Sequence, residues 1–271
     1  MLSWQAWLLS HEVELRLGCF VSIFILMAVW EYRSPCRKLK YPRILRWSNN
    51  LALVVLNSIL LRFIFPAAAV GVAYYAQEQG WGFFNLLGLP ALLEVILIVV
   101  ALDLLIYFQH RLVHSVPLLW RLHRVHHVDP DYDVTTGSRF HPLEIIFSML
   151  IKFAAVLLLG APVVAVILFE VILNGSAMFN HSNIRLPASV ERILRKIIVT
   201  PDMHRVHHST VVRETNSNYG FALSVWDRLF HTYQDQPKQG HVGMDIGLTE
   251  FRSAKDICRL DGMLLLPFRR K

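Results

Sequence analysis

The chain has 271 residues, of which 54% are hydrophobic, and its mean hydropathy is +0.42. This apolar content exceeds that of an average soluble domain and indicates an integral membrane protein. The net charge of +7 comes without a recognisable nucleic-acid-binding motif, so it favours anionic lipid headgroups over nucleic acid, and three cysteines without a C-x-x-C pair argue against a disulfide framework or a cysteine zinc site.

The first apolar run covers residues 15–30, and the second covers residues 51–76. The basic residues between them are Arg33, Arg37, Lys38, Lys40, Arg43 and Arg46. This excess marks a cytoplasmic loop and puts the N-terminus on the opposite side of the membrane. Arg62 and Pro66 interrupt the second run. We expect Arg62 to face a cavity or a partner, because a charge that faces lipid is costly.

The third run, residues 88–108, returns to the cytoplasm and delivers His110 and His114. Asp103 lies seven residues before His110 and therefore on the same helical face. It could orient a ligand histidine or cap a polar pocket. Residues 115–127 then predict an amphipathic helix at the membrane surface, with Pro117 in its first turn and a loop after it.

Residues 145–180 are apolar and split at 160–162, which predicts two spans or a re-entrant hairpin. Glu170, Asn174 and His181 share one face of the second half, so they should point into the protein. Residues 182–271 contain no spanning run, although Thr200 and Pro201 predict the start of a helix. The sequence thus predicts an all-α membrane bundle of about four to five segments with a cytoplasmic, histidine-rich helical cap.

Ten of the thirteen histidines fall between residues 110 and 208. Eight of them form one H-x-x-x-H and two H-x-x-H-H motifs, at His110 and His114, at His123, His126 and His127, and at His204, His207 and His208. On a helix, residues three or four apart share a face, so we expect each motif to aim its imidazoles at one point. Eight imidazoles exceed the needs of one ion, so two metal ions are predicted.

The spacing leaves the metal and the reaction open. A zinc protease of the H-E-x-x-H type is ruled out, because Arg111 follows the first histidine. Imidazole suits zinc, copper, iron and nickel alike. A metal centre at the mouth of a membrane bundle favours oxidation of a lipid C–H bond. A zinc-dependent membrane hydrolase and a non-catalytic metal- or lipid-binding membrane protein stay open as alternatives.

Six motifs in order carry a family resemblance: QHRLVH, LHRVHH, RFHPLE, FNHSN, TPDMHRVHHS and NYGFALSVWDRLF. Over residues 95–235 the chain resembles the fatty acid hydroxylase superfamily, also called the sterol desaturase family. The resemblance implies a membrane oxygenase with two iron ions, in which zinc could substitute. Such an enzyme uses O2 as co-substrate and two external electrons to hydroxylate or desaturate a lipid.

The resemblance also implies the site. The implied metal ligands are His110, His114, His123, His126, His127, His181, His204, His207 and His208. The residues that could ligate or support a ligand are His141, Asp103, Asn180 and Asp202. The metal centre itself would be catalytic, with no separate protein acid or base. Ala177 stands where some relatives have a further histidine, and His231 stands where relatives often have glycine.

The same reading divides the chain into anchor helices (1–90), a catalytic domain (91–240) and a C-terminal tail (241–271). Electrons are expected from a separate ferredoxin-, rubredoxin- or cytochrome b5-type protein, because no fused cytochrome b5-like domain is visible. We expect a lipid substrate from the bilayer and no nucleic acid. The expected membrane is the bacterial inner membrane, or the endoplasmic reticulum in a eukaryote, with the histidines on the cytoplasmic side.

Overall fold

The computed structural model describes residues 4–269, and within this range every regular element is helical, with three isolated β-bridges. The longer helices are α1 (Trp4–Ser10), α2 (Glu12–Arg33), α3 (Arg43–Ile64), α4 (Ala68–Glu78), α5 (Ala91–Ser115), α6 (Pro117–His127), α7 (Pro142–Leu159), α8 (Val163–Asn180), α9 (Ala188–Leu194) and α10 (Pro201–His207). Short helices follow, namely α11 (Val212–Thr215), α12 (Val225–Leu229), α13 (Gly240–Gly243), α14 (Ala254–Ile257) and α15 (Leu260–Leu265).

Five helical stretches in the described range are long and apolar enough to cross a membrane. They are α2, α3 together with α4, α5, α7 and α8. The predicted all-helical membrane bundle is therefore confirmed. Residues 145–159 lie in α7 and residues 163–180 in α8, and each of these helices has 18 residues. At about 1.5 Å per residue each helix is about 27 Å long, close to the hydrocarbon thickness of a bilayer.

The second span is broken between α3 and α4. Proline cannot continue the hydrogen-bond ladder of a helix, and the break falls at Phe65 and Pro66. Arg62 lies just before the break, is exposed, and donates from Nη1 to the carbonyl oxygen of Pro66 at 3.2 Å. Arg62 therefore does not face a cavity, because its guanidinium binds a carbonyl that the break exposes. That Arg62 faces a partner stays a prediction.

The helix bundle has two ends. We call the end that carries the histidine motifs the site end and the opposite end the far end. At the site end, the loop 34–42 donates from the amides of Lys40 and Tyr41 to Asp131, at 2.7 and 2.9 Å. At the far end, the amide of Phe83 bonds the carbonyl oxygen of Leu158 at 2.9 Å. The basic loop and the three histidine motifs thus lie at one end of the bundle. That this end faces the cytoplasm stays a prediction.

The first two long helices contribute buried charges to the site end. Glu31 of α2 accepts from the amides of Val134 and Asn183, at 2.7 and 2.8 Å, and so joins two loops. Arg46 of α3 is fully buried and donates to Asp129 through two nitrogens, at 2.9 and 2.6 Å. Contacts therefore cross the proposed boundary at residue 90. The division into three regions stays a prediction.

The C-terminal tail packs against the helix that carries the first H-x-x-H-H. Ile257 and Leu266 share a buried cluster with Val125 and Val128. Arg124 of α6 donates from Nη2 to the carbonyl oxygen of Leu266 at 2.5 Å. These contacts fix one side of α6, so its other side, with the histidines, has a defined orientation.

His231 occupies a strained backbone position. Its φ is +57°, in the left-handed region that glycine adopts most easily. We expect His231→Gly to raise the melting temperature by about 2–4 °C relative to His231→Ala, because relief of the strain is worth about 1 kcal/mol. Thermal unfolding of both variants in detergent measures this difference. Equal melting temperatures would show that the surrounding turn tolerates the side chain without strain.

Candidate metal centre

The nine predicted ligands form two adjoining groups. The five-histidine group contains His110, His114, His123, His127 and His207, and the four-histidine group contains His126, His181, His204 and His208. Within each group one nitrogen per ring lies within 4.8 Å of the others. Rings of different groups also touch, since the centroids of His127 and His208 are 4.5 Å apart. The two groups together form one centre at the site end.

Each H-x-x-H-H motif is shared between the groups. His123 and His127 belong to the five-histidine group, whereas His126 belongs to the four-histidine group. In the second motif His204 and His208 belong to the four-histidine group, whereas His207 belongs to the five-histidine group. The expectation that each motif aims at one point is therefore wrong for both. Residues four apart differ by about 40° around a helix, whereas adjacent residues differ by about 100° and must diverge.

Several ring nitrogens lie at the spacing of ligands on one ion. His181 Nε2 is 3.1 Å from the Nε2 atoms of His126 and of His204. In the other group, His114 Nε2 and His127 Nε2 are also 3.1 Å apart. Two metal–nitrogen bonds of about 2.1 Å at a right angle place the nitrogens about 3 Å apart. The spacing therefore fits two metal ions, one in each group.

The opposite nitrogen of many rings is held by an acceptor. His110 Nδ1 donates to the carbonyl oxygen of Tyr219 at 2.8 Å, and His207 Nδ1 to that of Ser217 at 2.7 Å. A carbonyl oxygen can only accept, so Nδ1 carries the proton and Nε2 keeps its lone pair. In the described part of the chain neither Nε2 atom has a hydrogen-bond partner, although both are buried. Unpartnered buried nitrogens of this kind fit metal ligands.

Burial keeps several ligand rings outside the membrane helices neutral. Burial, followed by the neighbouring imidazoles, lowers the pKa values of His126, His127, His207 and His208 well below the usual range. Burial lowers the pKa of His181 to about 3. A metal binds only the neutral ring, so no proton has to be displaced near neutral pH. An all-nitrogen donor set suits iron, zinc, copper and nickel alike, so it does not identify the metal. The number of ions is indicated by the two groups.

A carboxylate holds one ring of the five-histidine group. His123 Nδ1 donates to Oε1 of Glu144 at 2.6 Å, and both side chains are buried. Glu144 lies in the first turn of α7, three residues after His141, within the RFHPLE motif. Metal-ligating histidines commonly donate to a carboxylate, which fixes the ring and raises its basicity. Sequence reasoning missed Glu144, although its motif was recognised, because a first-turn glutamate usually only favours the start of a helix.

Asp103 supports the centre indirectly. Its carboxylate accepts from the amides of Ala222 and Leu223, both at 3.1 Å, and from Nε1 of Trp226 at 2.8 Å. Of its two predicted roles, these contacts argue against direct orientation of a histidine. It holds the segment after Tyr219, whose carbonyl orients His110.

The other three supporting candidates make contacts with helix ends and loops. His141 caps α7, where its Nδ1 accepts from the amide of Leu143 at 3.2 Å. Asn180 donates to the carbonyl oxygen of Phe221, and Asp202 pairs with Arg205 at 2.5 Å. Neither His141 nor Asp202 belongs to a ligand group in the described chain. Their contacts hold helix ends and loops.

Aromatic rings enclose the centre. The Tyr219 ring lies 5.2 Å from His114 and 5.6 Å from His207. Tyr132 packs on His208 at 5.1 Å, and Phe140 stacks on His126 at 4.6 Å. These rings exclude water from the imidazoles and limit their rotation.

The comparison with known proteins matches the segment of the chain that carries the ligand histidines. The family model for fatty acid hydroxylase matches residues 95–232, just over half of the chain. Ornithine lipid hydroxylase OlsE of Rhizobium tropici is 29% identical over 258 residues, which cover 93% of this chain and 75% of that protein. Alkylglycerol monooxygenase of Homo sapiens is 27% identical over 154 residues, 55% of this chain.

The chain spans only about a third of the human protein, at 32% of its length. Fatty acid hydroxylase vlmA of a Lecanicillium species is 29% identical over 191 residues, which cover 65% of this chain and 52% of that protein. No solved structure matches the chain.

Proposed function

The chain belongs to the fatty acid hydroxylase family, and on this premise we propose that it is a membrane-bound lipid hydroxylase with a two-iron centre. The observation that carries the proposal is the pair of adjoining groups of imidazoles, nine in all and eight of them buried, at one end of five apolar helices. The names of two relatives, a lipid hydroxylase and a monooxygenase, favour hydroxylation over desaturation.

The residues present would divide the work as follows. The five-histidine group and the four-histidine group would each hold one iron ion. When bound, the irons would supply the oxidation: O2, two electrons and two protons would convert one C–H bond into C–O–H and release one water. Glu144 would hold the His123 ring, and the carbonyl oxygens of Ser217 and Tyr219 would hold His207 and His110.

We further propose that the centre lies on the cytoplasmic side. Arg37, Lys38 and Lys40 lie in the loop between α2 and α3, which the contacts to Asp131 tie to the site end. Short loops rich in Lys and Arg stay in the cytoplasm. A soluble electron donor of the ferredoxin, rubredoxin or cytochrome b5 type would therefore approach from this side.

The test compares wild type with His207→Ala, expressed in iron-replete cells, and uses His11→Ala as the matched control. His11 is exposed between α1 and α2, outside both groups. We expect about two iron ions per chain in wild type and in the control, together with lipids that have gained one oxygen atom. His207→Ala should lose iron and the oxidised lipid, because its ring lies in the five-histidine group.

An assay in isolated membranes, supplied with reductant and O2, decides the outcome. Zinc in place of iron, with lipids unchanged in wild type, would overturn the oxygenase and favour a hydrolase or a metal-binding protein. Product formation without O2 would do the same.

A further inference from the structure

A cavity of about 260 Å³ with a mixed polar and apolar lining opens beside the five-histidine group. We propose that it receives the polar head of the lipid substrate, while the apolar chain of the lipid runs outward to the bilayer. The proposal deepens the function proposed above and rests on it for the nature of the occupant. Four segments form the cavity: the end of α5, α6, residues 209–216 and residues 247–250.

The cavity gives access to the metal centre. One wall is His114, which is half-buried, whereas the other eight ligands are buried. Beside it, the Trp120 ring lies 4.8 Å from the His114 ring and 5.3 Å from the His127 ring. A molecule in the cavity would therefore contact the edge of the five-histidine group, where the other ligands are shielded.

The size and lining fit a head group better than an alkyl chain. At about 30 Å³ per water molecule, 260 Å³ corresponds to about nine waters, which leaves no room for a long acyl chain. The hydroxyl groups of Thr210 and Thr249 and the amide of Asn216 offer both donors and acceptors. An apolar chain would displace water from the two threonine hydroxyls without replacing its hydrogen bonds, whereas a polar head can bond them.

The cavity opens at the end of a membrane helix. Val212 lines the cavity and is 72% exposed. His114, which also lines the cavity, lies in the last turn of α5. Because α5 is a candidate membrane span, these side chains lie where the bilayer meets the site end. A lipid could therefore keep its chain in the bilayer while its head reaches the cavity.

This arrangement predicts the position of oxidation. The cavity adjoins the ligands, so the C–H bond nearest the irons belongs to the head or to the first few carbons of the chain. Tandem mass spectrometry of the oxidised lipid should place the new oxygen there. An oxygen in the middle or at the end of the chain would overturn the proposal.

The binding test fills the cavity with Val212→Trp and, from another wall, with Thr249→Trp. Val242→Trp is the matched control, because Val242 is 62% exposed and does not line the cavity. Each protein is purified in mild detergent from host membranes, and native mass spectrometry counts the lipid that remains bound. We expect both cavity variants to lose bound lipid and oxidised product by roughly tenfold or more, with iron content unchanged, and the control to keep both.

The two proposals can fail separately. Bound lipid lost from the cavity variants, with no oxidised lipid in wild type, would support the head-group site and overturn the hydroxylase. Equal lipid retention in all three variants would overturn the head-group site, whatever the oxidation assay shows. If one cavity variant does not fold, as iron loss and a lowered melting temperature would report, the other decides.

Discussion

Replacing Arg46 with methionine is expected to lower the free energy of unfolding by about 3–5 kcal/mol, the range found when one member of a buried ion pair is removed. Arg46 is fully buried, donates twice to Asp129, and pairs with Asp133 and Thr136. Methionine keeps most of the side-chain length, but it leaves two carboxylates buried without this cation. In detergent the melting temperature should fall by about 10 °C.

The pH dependence tests the electrostatic origin of this loss. Burial alone would raise the pKa of Asp129, but Arg46 and then Arg139 more than offset it, so the pKa lies below its usual value. In wild type Asp129 therefore stabilises the fold above its unfolded pKa and loses this effect as the pH falls. In Arg46→Met the pKa of Asp129 should rise. Lowering the pH should therefore destabilise the variant less than it destabilises wild type. The stability difference between the two proteins should narrow toward acid pH.

A matched control separates the buried pair from surface charge. Arg33→Met removes an exposed arginine from the last turn of α2, at the same end of the bundle. We expect it to change stability by less than about 0.5 kcal/mol. If Arg46→Met is equally mild, or if its deficit does not depend on pH, the guanidinium does not hold the loop as described.

Loss of the Glu144 carboxylate is expected to weaken metal binding by about 10–100-fold, the usual effect of removing the partner of a ligand histidine. Glu144→Gln keeps the shape of the side chain and still offers an acceptor to His123 Nδ1, now 2.6 Å from Oε1. It removes the negative charge that raises the basicity of the ring. Glu144→Ala removes the acceptor too, so its loss should be the larger of the two.

Competition with a chelator measures this effect without depending on turnover. The matched control is Glu94→Gln, since Glu94 also lies in the first turn of a membrane helix, α5, but at the far end. We expect the control to retain wild-type iron affinity. Equal affinity in wild type and Glu144→Ala would mean that Glu144 only begins α7 and does not tune the centre.

Local sequence determined most of the helical framework. The apolar runs predicted the membrane helices, and Pro117 and Pro201 marked the starts of α6 and α10. Thr200 caps α10, where its hydroxyl accepts from the amide of Met203 at 3.3 Å, as predicted. These features depend on hydropathy and on backbone chemistry within a few residues, so no distant contact was needed to predict them.

Other features depended on contacts between distant segments. The sequence by itself determined which histidines could ligate, because their motifs are local. Only the tertiary structure decided that His126 joins His204 while His127 joins His207, since a helix fixes where its own rings diverge but not which rings they meet. It likewise decided that Glu144 reaches His123, that Asp103 holds a loop rather than a histidine, and that the cavity opens at His114. Such pairings depend on how helices pack across the bundle, and hydropathy and local spacing carry no record of that packing.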